Sequence, residues 1–124
     1  MNTKTAAIII GLAFIAVGIL GFFSNPIVGS SPDAIFHTDQ THNIVHLASG
    51  GLFLLIAIAA PGSAGGLLKI FGIVYLALGV YGAVTMGSEE SKMLFNFLHV
   101  NKADNYLHIG LGLVIFLAGT LRRA

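Results

Sequence analysis

Four stretches of this chain, Ala6–Phe23, Asn43–Ala60, Leu67–Met86 and Asn105–Leu121, are apolar over nearly their whole length, and none carries Lys, Arg or Glu in its middle. A helix needs roughly 20 such residues to cross a hydrocarbon core about 30 Å thick. In lipid, only helices and closed barrels satisfy their own backbone hydrogen bonds. The pattern therefore predicts four membrane-spanning helices. Composition closes off the soluble alternative. Of 124 residues, 56% are hydrophobic and 9% charged, with mean hydropathy +0.90, whereas soluble domains carry roughly 25% charged residues. A net charge of +1 with no basic, aromatic-rich patch argues against nucleic acid as a partner and leaves the lipid bilayer. The chain has no cysteine, which removes disulfides, iron–sulfur ligation and thiol catalysis.

The spans are punctuated. Lys4 before a long apolar run resembles a secretory signal, but Leu20-Gly21-Phe22-Phe23-Ser24 lacks a small-x-small cleavage pattern, so the run reads as a retained span. Asn25-Pro26 stops it, because Pro disfavours helical geometry in the residue before it. Pro61–Gly66 is a turn. Ser31-Pro32-Asp33 predicts an N-cap with Pro at the first helical position, opening a short helix through Phe36. Ser88, with Glu89 and Glu90 in the first turn, predicts a second, whose Met93, Leu94, Phe97 and Leu98 would lie in the membrane interface.

A polar string occurs twice, each time at the head of a span. His37-Thr38-Asp39-Gln40-Thr41-His42-Asn43-Ile44-Val45-His46 aligns with His99-Val100-Asn101-Lys102-Ala103-Asp104-Asn105-Tyr106-Leu107-His108 at an offset of 62. Gly11, Gly18 and Gly21 align with Gly72, Gly79 and Gly82 at an offset of 61, and Phe14 with Tyr75. The expected architecture is all-α: an integral membrane four-helix bundle made by tandem duplication of a two-helix hairpin, with two short interfacial helices. It forms one domain over 1–124, with repeats at 6–60 and 67–121. Such parallel repeats are related by a pseudo-two-fold axis along the membrane normal, and the glycine stripes let helices approach closely.

Asp39 and Asn101 read as N-caps of the second and fourth helices, with Asp104 at the capping-box position. His42, Asn43 and His46 then occupy an arc of about 100°, as do Asp104, Asn105 and His108. Basic residues set the orientation. Lys4, Lys69, Arg122 and Arg123 flank the ends opposite the repeated string, while its own side holds Lys92 and Lys102. This places both termini in the cytoplasm and the histidines on the outer side.

These residues resemble a bacterial membrane family. Thr41-His42-Asn43-Ile44-Val45-His46-Leu47 with Gly50, then Asn101-x-x-Asp104-Asn105-x-x-His108, and the Gly-rich first and third spans are similar to the four-span family catalogued as domain of unknown function 4383. The resemblance covers nearly the whole chain. It implies a small bacterial inner-membrane protein and brings no activity with it.

Three functions fit the string. As a metal site, His42 and His46 present two imidazoles at i, i+4, and Asp104 and His108 repeat the spacing with a carboxylate. Together they form a four-coordinate set suited to a divalent metal such as zinc or copper. Asn43, Asn105, His37 and His99 stand around it as outer groups. As a haem b site, His46 and His108 would be axial ligands on facing helices. As a structural network, Asn43 and Asn105 would hydrogen-bond across the repeats of a non-catalytic accessory subunit, in a larger membrane complex or a homo-oligomer. Catalysis has weaker support, since no nucleophile stands beside both a base and an orienting acid.

Overall fold

The computed structural model describes residues 1–87, 91–94 and 98–123. Side-chain oxygens start three of its helices. Asn2 opens α1 (Thr3–Leu20), accepting from the Thr5 N–H at 2.9 Å. Asp39 opens α2 (Gln40–Ala59), accepting from the His42 N–H at 2.8 Å. After a single turn of 3₁₀ helix at Pro61–Ser63, α3 runs Ala64–Met86 and stops at Gly87, which has positive φ. Asn101 opens α4 (Lys102–Ala118) with a full capping box. The Asp104 N–H donates to the Asn101 side chain, and the Asn101 N–H donates to the Asp104 carboxylate, each at 2.9 Å. Each cap satisfies N–H groups that a helix start otherwise leaves unpaired.

By length and composition α1, α2 and α3 can each cross a membrane, while α4 has 17 residues. The outward positions are apolar as well: Ile9, Leu55, Ile58, Ile70, Val84 and Leu117 are all exposed. Helices that are apolar all round belong in a membrane. The chain is a mostly helical, membrane-embedded protein.

The helices associate in pairs, α1 with α2 and α3 with α4, through backbone-to-backbone approach at glycine. A Cβ on Gly50 would stand 2.6 Å from the Gly11 carbonyl oxygen and 2.9 Å from the Ile15 nitrogen. A Cβ on Gly72 would stand 2.5 Å from the Phe116 nitrogen. Where apolar side chains alone drive little association, such approaches supply van der Waals contact. The two pairs enclose a core of Phe14, Phe53, Ala57, Leu68, Tyr75 and Ile115. At one end the termini meet: the Thr3 N–H donates to Arg122 O at 3.0 Å, and Arg123 Nη2 donates to Gly62 O at 3.1 Å.

At the other end, strands stand where two short interfacial helices are expected. β1 (Val28–Gly29) pairs in parallel with β2 (Phe36–His37). Ser31-Pro32-Asp33 does start a turn, with Ala34 N–H on Ser31 O at 3.0 Å. It ends there because the next N–H groups go elsewhere: Ile35 to Pro26 O, Phe36 to Ile27 O, and Thr38 to Gly29 O. Asn25 prepares that acceptor strand, its amide bridging Leu20 O, Phe23 O and Val28 O. β3 (Ser91–Leu94) pairs antiparallel with β4 (Leu98–Asn101). A hairpin pairs the backbone groups that a helix this short leaves open at both ends. Ser88, Glu89, Glu90 and Phe97 lie outside the described residues.

The glycine contacts separate two neighbouring positions. Gly50→Ala is expected to lower stability by about 1–3 kcal/mol, because the methyl meets backbone that must shift. A Cβ on Gly51 meets nothing within 4 Å, so Gly51→Ala should leave stability unchanged or raise it by up to about 1 kcal/mol through helix propensity. Thermal unfolding of both variants in one mild detergent measures the difference.

Candidate metal centre

The caps determine where the histidines point. Asp39 starts α2 so that His42 falls in its first turn and His46 one turn deeper, on the same face. Their ring centroids are 4.6 Å apart. Asn101 starts α4, and His108 follows its cap at the same distance in sequence as His46 follows Asp39. The His108 ring reaches across to within 5.7 Å of the His42 ring. One ring nitrogen from each of His42, His46 and His108 lies within 4.8 Å of the others.

This convergence is dry. The three residues are 3%, 8% and 4% exposed, respectively. Phe14 from α1 packs against His46 with ring centroids 5.8 Å apart, and Tyr75 from α3 packs against His108 at 5.5 Å. Phe14 and Tyr75 meet edge to face at 5.4 Å beneath them. Nδ1 of His46 and Nδ1 of His108 are buried and have no hydrogen-bond partner. A polar atom in that position costs about 1–3 kcal/mol unless something binds it.

The structure brings together three of the four expected ligands and leaves Asp104 out. The Asp104 carboxylate is buried but turned toward backbone, accepting from Asn101 N–H and from His37 N–H. It joins the β2 segment to the head of α4. Asn43 and Asn105 bond within their own halves. Asn43 Oδ1 accepts from the Thr38 hydroxyl at 2.7 Å, and Asn105 Nδ2 donates to Met86 Sδ at 2.9 Å. Each fits into the space left by a glycine on its neighbouring helix, Gly21 or Gly82, where a Cβ would collide with the amide. Their expected bond across the repeats is replaced by Asn101 Nδ2, which donates to Ile35 O at 2.9 Å. His37 lies in β2, is not one of the three converging residues, and contributes its backbone N–H to Asp104. The backbone of His99 pairs with Met93. The aromatic walls, Phe14 and Tyr75, were visible in the sequence only as a matched pair, because nothing in a linear pattern says that two helices turn those faces toward histidine.

A family model described as Domain of unknown function (DUF4383) matches residues 4–121. No curated protein and no solved structure matches the chain.

Asp104→Ala removes the acceptor of two backbone N–H groups at a buried site. The expected cost is about 1–3 kcal/mol, read as a lower unfolding temperature. Asp104→Asn keeps an acceptor oxygen and should recover part of it.

Proposed function

The chain belongs to the DUF4383 family, and we propose that it is a four-span protein of the bacterial inner membrane that binds one divalent transition-metal ion through His42, His46 and His108. The four spans are two tandem copies of a helical hairpin, with both termini in the cytoplasm and the cluster on the outer side. The distribution of Lys and Arg supports that orientation, and the like placement of Gly11 with Gly50 and Gly72 with Gly112 supports the duplication.

One observation carries the metal reading: three buried imidazoles converge, and two of them present nitrogens that nothing in the protein satisfies. Imidazole suits zinc and copper better than magnesium or calcium. Three histidines with an open fourth position is a ligand set that zinc accepts. The placement of His42 favours a bare ion over haem, because its ring stands 4.6 Å from His46 and 5.7 Å from His108, in the space a macrocycle between them would need. Asp104, Asn43 and Asn105 hold the helix ends in place around the site. A second reading, a metal-free accessory subunit, rests on the bonds that join the two halves without any ion, Asn101 to Ile35 and His37 to Asp104.

Elemental analysis of protein purified without a histidine tag separates these. About one equivalent of zinc or copper is expected in the wild type, with at least a tenfold loss in His46→Ala and in His108→Ala and retention in Asp104→Ala. Added metal should raise the unfolding temperature of the wild type, by about 2.7 kcal/mol of stability at a hundredfold excess over Kd, and should leave the histidine variants unmoved. A Soret band would select haem instead. A metal-free wild type, indifferent to added ions, would leave the accessory-subunit reading.

A further inference from the structure

Two cavities open sideways from the histidine cluster, and they occupy matched positions. One, of about 300 Å³, lies between α2 and α3; its lining includes Val45, Ser49, Val74, Tyr75, Leu78 and His108. The other, of about 150 Å³, lies between α1 and α4 and is lined by Leu107, Leu111, Ala13, Phe14, Val17 and His46. At the offsets of 61 and 62 these six residues correspond one to one, in that order. The cavities differ in chemistry. Where the smaller has Leu111 and Phe14, the larger has Ser49 and Tyr75, whose hydroxyls form a hydrogen bond. His42 adds a further polar group to its lining. Close packing alone does not account for this, because the matched seam packs with purely apolar side chains beside its histidine.

We propose that the larger cavity binds a lipid-soluble quinone-type ring, entering from the bilayer between α2 and α3. The walls are apolar and the rim residue Val74 is 48% exposed on the outer surface of α3, so the ligand arrives through lipid. At the inner end stand the Tyr75 and Ser49 hydroxyls, with His42 and His108 beside them. A neutral ligand with a carbonyl oxygen is what hydroxyl donors hold in a dry site. Phe71 and Tyr75, with ring centroids 6.3 Å apart, offer faces to a planar ring. No cationic side chain lines the cavity, which disfavours a fatty acid carboxylate or a phosphate. The site shares His42 and His108 with the proposed metal centre but stands on the cavity and its hydroxyls, whether or not an ion is present.

Equilibrium dialysis of the protein in nanodiscs against a benzoquinone bearing a single isoprene unit, with empty nanodiscs as blank, tests this. Saturable binding near one equivalent is expected for the wild type. The double variant Ser49→Leu/Tyr75→Phe, which installs the residues of the matched seam, should bind at least about tenfold more weakly. Val74→Trp, at the rim, should weaken binding by obstruction even if the double variant folds poorly. Binding by the wild type no greater than by empty nanodiscs, or equal binding by all three proteins, would overturn the proposal. Quinone binding by a metal-free wild type would retain it and remove the metal reading alone.

Discussion

Everything at the histidine cluster depends on how closely two helix backbones approach at glycine. With Gly11 against Gly50 and Gly72 against Phe116, the helices of each pair leave no room for a Cβ at those glycines. Asn43 and Asn105 are then drawn into the spaces at Gly21 and Gly82. An asparagine held by its neighbouring helix fixes the rotation of its own helix. Once α2 and α4 are so rotated, the residue three positions after each asparagine, His46 or His108, must face the interior. The amides therefore act on the site through rotation rather than through contact with a ligand.

The departures from repetition are as informative as the matches. His42 and Asp104 occupy corresponding positions and do different work. His42 adds a third ring to the cluster, whereas Asp104 holds backbone N–H groups at the head of α4. A second aspartate at position 42 would place a buried carboxylate beside two imidazoles. A second histidine at position 104 would give up the capping box. The same division appears one layer deeper, where Tyr75 and Ser49 face one seam and Phe14 and Leu111 the other. The chain keeps one packing scheme twice and assigns polar chemistry to one side of it.

Length and periodicity made the apolar helices readable, because lipid allows a hydrophobic segment little besides a helix. The caps were readable for a local reason: Asp39 and Asn101 each act within three residues of themselves. The two connections were misjudged because their structure is decided at longer range. Ser31-Pro32 has the local signature of a helix start, and it loses to pairing with Ile27 and Gly29, which Asn25 has already shaped. Helical spacing alone brought His42 and His46 together. Asp104 stays out because its carboxylate turns to the Asn101 N–H in the capping box, with the His37 N–H as a second donor. That His108 joins depends on how α4 packs across from α2, which no local pattern encodes.

The joined strands have a kinetic consequence. Val100 from β4 is fully buried against Met86 and Val45, while Asn101 and Asp104 tie the same region to Ile35 and His37. In the proposed topology this cover lies between the cluster and the outer aqueous phase. An ion held at the proposed centre would then exchange with that phase only as the cover opens. Its rate of release is then a property of the protein's breathing, independent of how much chelator waits outside. Weak intrinsic coordination and long residence can coexist in such a site.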